Sequence, residues 1–425
     1  MDLFSTPFQA VHTRTFTQPR WGARVTGESG LGTYTLLVGE DEGGGSVVIP
    51  GTLGSGLARQ DFSSTVTIGR LRHDFGTSFA SFLYSGREID GGGSNRVFGP
   101  DFQWRPRGGD SVTGQFLLSQ SSTPRRPDLA GEWDGRDLSG HAARLSWSHR
   151  QGDWDTFVRV DEIDEDFRAD NGFVPQVGWR GAFVEGGHTW FPEDRPVSRL
   201  RLFTYGYYDE DSAGRFLEQG IVPGVGLDAR WNSFVRLEVA LQKLRAGEQV
   251  FERVQLRPTI EVRPGGILSA FGVYGSFGDQ IDFAHERLGD GASVELWTDV
   301  RPTDHLLIFL TASRRWLDVE TDDGPGGRLF TADVARLRTT YTFTARSWLR
   351  LIGQWVETER EPALWASPVD DHSAAFAGSA VLAYKLSWQT VVFLGYADDR
   401  AWDATDRLQP AGRQLFLKLS YAFQG

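Results

Sequence analysis

The stretch RQLFLKLSYAF, Arg413 to Phe423, stands almost at the end of the chain, followed only by Gln424 and Gly425. Read as an extended strand, it puts Leu415, Leu417, Leu419, Tyr421 and Phe423 on one face and Gln414, Lys418 and Ser420 on the other. An apolar face that ends in two aromatics is what the closing strand of a membrane barrel requires. Its leucines meet lipid and its aromatic rings sit at the membrane–water boundary. Leu417, Leu419, Tyr421 and Phe423 are accordingly expected to form the carboxyl-terminal signal that barrel-assembly machinery reads.

Working outward, the same two-residue period recurs. In Val250 to Val262 the row Val254, Leu256, Pro258, Ile260 and Val262 alternates with Arg253, Gln255, Arg257, Thr259 and Glu261. Phe234 to Gln242 repeats it, with Val235, Leu237, Val239 and Leu241 against Arg236, Glu238 and Gln242. Further on, Leu337, Thr339, Tyr341 and Phe343 alternate with Arg336, Arg338, Thr340 and Thr342. An arginine facing hydrocarbon costs roughly 2–4 kcal/mol at the midplane, so the charged rows must point away from lipid. Arg236, Glu238, Arg253, Arg257, Glu261, Arg336, Arg338 and Lys418 are therefore the expected lining of a charged aqueous lumen.

Composition agrees with this reading. Among 425 residues there are 51 glycines and 13% aromatics, a mixture suited to short strands and many turns. Cysteine is absent, which excludes disulfides, thiolate nucleophiles and cysteine-ligated metals. A formal charge of −12 argues against nucleic acid as a partner. No apolar run reaches the roughly 18 residues of a membrane helix; the longest, around His305 to Ala312, is far shorter. Met1 is followed at once by Asp2 and polar sequence rather than by an export signal, so a mature or truncated chain is expected.

Tight connections at 73–76, 105–110, 151–153, 231–233, 263–266, 301–304, 345–347 and 386–388 alternate with long polar ones. The long ones are expected at 40–61, 87–97, 121–138, 163–176, 276–290, 316–330, 358–372 and 397–412. That sorting predicts an all-β, up-and-down antiparallel transmembrane barrel, with short periplasmic turns and long exterior loops, in the outer membrane of a Gram-negative bacterium. Counting from Phe8 to Thr17 as the first strand gives about 22 strands, or about 20 if one hairpin is divided too finely. The whole of residues 1–425 then forms one domain. A barrel that wide needs something to fill or narrow it. Candidates are inward loops, an upstream domain, a flattened cross-section, or a plug or periplasmic partner protein.

The segments DLFSTPFQAVHTRT from Asp2, WGARVTG from Trp21, VTIGRLRHDFG from Val66, GPDFQWR from Gly99 and FRADNGFVPQVGWRG from Phe167 resemble an uncharacterised family of outer-membrane barrels. Its members usually carry an amino-terminal domain like a family 9 carbohydrate-binding module. The resemblance implies a barrel whose upstream domain and signal peptide are missing here, and it transfers no sugar-binding residue to this chain.

Chemistry-bearing motifs are sparse. Asp161, Asp164, Asp166 and Asp170 in Val160 to Gly172 offer oxygen ligands for calcium but lack EF-hand spacing, and an acidic exterior loop is equally served by divalent ions that bridge lipopolysaccharide. Eight histidines fall in no HExxH or GxSxG context, so no catalytic residues are assigned and no cofactor is expected. The tryptophans near turns, among them Trp104, Trp147, Trp190, Trp231, Trp297, Trp348 and Trp388, fit interfacial girdles. The functional expectation is a channel or translocation pore for solutes, saccharides among them. A ligand- or partner-binding scaffold and a rim-site hydrolase are the alternatives. Lipid and lipopolysaccharide surround the barrel in each case.

Overall fold

The computed structural model describes residues 4–12, 15–193, 196–320, 326–365, 367–403 and 407–421. The long elements are all strands, because the sequence alternates apolar and polar residues at period two and breaks that alternation with Gly, Asp and Asn turns. In chain order they are β1 (Pro19–Ser29), β2 (Gly32–Asp41), the short β3 (Ser46–Pro50) and β4 (Ser55–Arg59), β5 (Ser64–Phe75), β6 (Ser78–Ile89), β7 (Ser94–Trp104), β8 (Asp110–Ser122), β9 (Asp137–Gln151) and β10 (Trp154–Ile163). There follow β11 (Trp179–Trp190), β12 (Val197–Asp211), β13 (Phe216–Ala229), β14 (Ser233–Ala246), β15 (Gln249–Val262), β16 (Leu268–Asp282) and β17 (Arg287–Thr303). The last six are β18 (Leu306–Val319), β19 (Gly327–Thr344), β20 (Ser347–Arg360), β21 (His372–Lys385), β22 (Thr390–Trp402) and β23 (Leu408–Tyr421).

Twenty-one of these strands join one sheet, and β3 and β4 make a separate hairpin. Every described ladder is antiparallel between consecutive sheet strands, including β2 with β5 across the hairpin excursion. This is an up-and-down antiparallel β-barrel. The chain packs as two compact units, residues 1–188 with 204–221 and residues 189–203 with 222–425.

In the first unit the outer row is apolar and exposed: Leu71, Phe82, Phe102, Phe116, Leu118 and Leu145. The inner row of the same strands is buried and holds both apolar and polar groups. Val66, Ile68, Leu83, Val97, Leu117, Ala142 and Ile163 make a core with Phe4, Phe8, Ala10, Val11, Phe167 and Val177. Above one edge of this wall three excursions pack together. Val47 and Ala58 of the β3–β4 hairpin meet Trp133 of the β8–β9 loop, and Val177 of the β10–β11 loop donates its N–H to the Gly51 carbonyl at 3.3 Å.

In the second unit the register sets Leu237 opposite Pro258 and Val239 opposite Leu256 on one face, and Glu238 opposite Arg257 and Gln242 opposite Arg253 on the other. Leu256, Ile260, Leu337 and Leu417 are exposed, the last at 75%. Such rows are stable only against hydrocarbon. Small residues are used where large rings lie across the pleat. Gly272 lies opposite Trp297 in the β16–β17 ladder, and a Cβ there would stand 2.2 Å from the indole nitrogen, so the ring covers the backbone that the glycine leaves bare.

Three expectations need correction. The described residues of the stretch expected as the first strand, 8–12 and 15–17, are not a wall strand; they pack inside the first unit, and β1 begins only at Pro19. Among the described residues the sheet holds 21 strands, inside the expected 20 to 22, and the segment counted as the first crossing is not one of them. Several connections expected to be long are tight, notably 90–93 and 283–286. Polar residues in 276–290 were read as loop, but most belong to the inner rows of β16 and β17, where polarity is compatible with a strand. Finally, Trp297 and Trp348 are not girdle residues. Trp297 faces inward and donates to the Tyr274 hydroxyl at 3.3 Å, and Trp348 pairs with Thr342 on the inner side of β19. Trp104, Trp190, Trp231 and Trp388 do stand exposed beside turns.

Candidate functional site

The best-built interior feature is the seat of the amino-terminal segment in the first unit. Residues 4–12 and 15–18 follow an irregular extended path along the inner face of β2 and β5 to β10. Phe4, Phe8, Ala10 and Val11 turn toward the wall and are buried. A polar space of about 400 Å³ is bordered by the segment itself, by Thr6, Gln9 and His12 together with Phe4, Ser5, Pro7 and Val11.

Wall arginines hold its main chain. Arg70 Nη1 donates to the Ser5 carbonyl at 2.7 Å, Arg144 Nη1 to the Pro7 carbonyl at 2.7 Å, and Arg87 Nη2 to the Thr15 carbonyl at 2.9 Å. The Phe8 N–H donates to Gln115 Oε1 at 2.7 Å. Arg144 also covers the Phe8 ring, with its guanidinium carbon 4.5 Å from the centroid, and Arg24 covers Phe4 at 4.9 Å. Charge-assisted bonds to carbonyls are strong in so dry a place, and each arginine is neutralised within the wall itself. Arg70 pairs with Asp101, both side chains buried. Arg144 pairs with Asp161, and Arg87 lies 3.7 Å from Asp41.

The β10–β11 loop completes the seat. Asn171 accepts from Arg87 Nε at 2.9 Å through its side chain, and its carbonyl accepts the His12 N–H at 2.7 Å. The Phe173 N–H returns a bond to the Gln9 carbonyl at 2.8 Å. Gly172 permits the contact, since a Cβ on it would stand 2.6 Å from the Gln9 oxygen. Asp170 sits beside Arg87 and Arg168, and burial raises its carboxyl above the usual aspartate range, the two arginines opposing that rise.

All five of the stretches singled out in the sequence meet here, WGARVTG through Arg24 over Phe4. DLFSTPFQAVHTRT supplies Phe4 and Phe8, VTIGRLRHDFG supplies Arg70, GPDFQWR supplies Asp101, and FRADNGFVPQVGWRG supplies Phe167 and Asn171. Reading single strands missed this. The available signal was on β5, where the inner Val66 and Ile68 share a face with Arg70 and are out of place on a wetted wall.

The residues expected to line the lumen lie in the second unit, on the face opposite the exposed leucines. Arg236 donates to Glu238 at 2.9 Å through Nε and lies 4.3 Å over the Phe203 ring. Arg253 and Arg257 both donate to Gln242 Oε1 at 2.9 Å. Glu261 accepts from the Tyr274 hydroxyl at 2.7 Å and from Arg263 at 2.9 Å. Arg338 covers the Phe309 ring at 4.9 Å. Arg336 opposes Gln354 across the β19–β20 ladder, and Lys418 opposes Phe393.

The acidic loop does not assemble as the calcium reading required. Asp161 is drawn to the inner wall by Arg144 and Arg159. Asp164 caps the Asp166 N–H at 2.9 Å, and the half-buried Asp170 sits beside Arg87 and Arg168. Asp161 and Asp170 are thus taken up by arginines, and among the described residues no group of three or more such ligands could hold a metal ion. Histidines are likewise engaged with wall carboxylates, His149 with Asp110 at 2.8 Å and His372 with Glu357 at 3.0 Å. Of the terminal signal, Leu417, Leu419 and Tyr421 are exposed, whereas Phe423 lies outside the described residues.

Continuous exposed apolar rows on one face of the strands, over inner rows that carry the charged and polar groups, define the class: a transmembrane β-barrel. No family model and no curated protein matches the sequence. Among solved structures, the ferric enterobactin receptor PfeA of Pseudomonas aeruginosa, as its R480A mutant with enterobactin, aligns over 93% of this chain and 82% of its own, with 8% identity and a TM-score of 0.46. The siderophore receptor PiuA of Acinetobacter baumannii aligns over 93% of this chain and 73% of its own, with 9% identity and a TM-score of 0.41.

Proposed function

We propose that the protein is a passive channel or translocation pore for polar solutes, with saccharides among them, and that the path runs along the inner rows of the second unit. One observation supports this above others. On β14, β15 and β19 the residues between the exposed leucines are Arg236, Glu238, Arg253, Arg257, Glu261, Arg336 and Arg338, and they keep partial exposure rather than closing into a dry core. Half-exposed charges on an inner wall require water beside them. Trp297, Tyr274 and Glu261 add a ring face next to hydrogen-bonding groups, the kind of surface on which a sugar ring can stack. Assembly into the membrane would use the exposed Leu417, Leu419 and Tyr421.

Planar-bilayer recording tests the reading. Purified protein is expected to give a steady current, with ion selectivity that moves toward cations when Arg336 and Lys418 are both replaced by Glu. No current over a wide range of voltage and pH contradicts a channel. Current with selectivity indifferent to both substitutions contradicts the assigned path.

A further inference from the structure

We infer that the inner face of β2 and β5 to β10 is a binding groove for an extended peptide, and that the chain's own amino-terminal segment, described at residues 4–12 and 15–18, is a displaceable occupant of it. The inference does not depend on the channel reading.

Four features carry it. The described residues of the segment form no ladder with any wall strand, so leaving the groove breaks no sheet. The wall's charges are neutralised without the segment: Arg70 by Asp101, Arg144 by Asp161, Arg87 by Asp41. What the wall reads is main chain, through three arginine-to-carbonyl bonds and one N–H to Gln115, together with pockets for two phenyl rings four residues apart. A ligand recognised that way is an extended peptide with aromatic anchors rather than one unique sequence. Moreover, the groove keeps buried donors that the segment does not use. Arg87 Nη1 and Gln115 Nε2 have no acceptor among the described residues, so a peptide with carbonyls in slightly different register can satisfy groups that residues 4–18 leave unmet. The polar space beside Thr6, Gln9 and His12 gives the departing segment room to move.

The absence of native cysteine makes the test direct. Val11→Cys in the full chain, reconstituted in vesicles, reports undocking through reaction with a membrane-impermeant maleimide, since Val11 is only 8% exposed when seated. Ala10→Cys serves as the second reporter should Val11→Cys fail to fold. A synthetic peptide of residues 4–18, added in excess, is expected to speed labelling roughly tenfold by holding the groove whenever the segment leaves. The same peptide with Ala in place of both Phe4 and Phe8 is expected to have no effect. Labelling that stays slow with the unsubstituted peptide overturns the inference, because the segment is then a fixed part of the wall. Labelling that is fast before any peptide is added also overturns it, because the segment is then not seated. Current recorded in parallel keeps the two proposals separate. Faster labelling without current leaves the groove and removes the channel; current without faster labelling does the reverse.

Discussion

Arg87 and Asp41 face each other across the inner wall at 3.7 Å, with side chains 1% and 0% exposed. Around them converge three separate parts of the first unit, the amino-terminal segment, Gln60 and the β10–β11 loop. Asp41 accepts the Gln18 N–H at 2.8 Å and the Gln60 amide at 2.9 Å, while Arg87 holds Thr15 and Asn171. Removing one member of a buried ion pair leaves the other uncompensated, at a cost of about 3–5 kcal/mol. Arg87→Met is therefore expected to lower the unfolding midpoint of the barrel strongly, and Arg87→Met with Asp41→Leu to recover much of it. Heat-modifiability on gels reads both. Equal loss in the single and double variants contradicts the pairing.

Asp170 provides the pH dependence. Burial raises its carboxyl pKa, so the neutral acid is the form that the docked loop prefers. Stability from that preference is full below the ordinary aspartate pKa and is lost as pH rises through the raised value. Protection across residues 164–178, taken relative to the base-catalysed intrinsic exchange rate, should accordingly rise on acidification, and Asp170→Asn should raise it at neutral pH while flattening the profile. The surrounding Arg87, Arg168 and Glu132 are unchanged by that substitution. Faster exchange in Asp170→Asn at neutral pH contradicts the assignment.

Gly172 tests whether the segment is seated as described. A Cβ there meets the Gln9 carbonyl oxygen, which is backbone and can retreat only if the segment moves. Gly172→Val is expected to weaken docking by about 1–3 kcal/mol, the usual cost of forcing extra atoms into a packed site. Proteolysis within residues 4–18 should then become faster while the wall strands stay resistant.

Phe8 offers the complementary change. It is 4% exposed and lies under the Arg144 guanidinium. Phe8→Ala should cost about 3–5 kcal/mol of local packing. Because Arg144 keeps Asp161, the folded wall should survive, so intact β-sheet circular dichroism with increased proteolysis of the segment is the expected pair of results.

The wall was legible in the sequence because lipid imposes a strict period of two, and residues such as Leu256, Ile260, Leu337 and Leu417 declare their face without reference to anything distant. Interior packing was not. Whether Phe8 begins a wall strand or lies against one depends on Arg144, Gln115 and Asn171, which are far away in the chain and reach it only through the fold. Alternation also cannot distinguish an inner row that is wet from one that is packed. Val66, Ile68 and Arg70 share one face of β5, and it is Asp101 and Ser5, distant in the chain, that make that face a packed one.

The central claim is that neighbouring residues of one strand meet lipid and protein interior in turn. Single-cysteine spin labels placed from 334 to 341 in the membrane-reconstituted protein measure this directly, by accessibility to dissolved oxygen against a polar nickel chelate. Oxygen accessibility is expected to peak at 335, 337, 339 and 341 and to fall at 336, 338 and 340. A profile without that alternation, or one in which Leu337 is shielded and Arg336 reports lipid, contradicts the account.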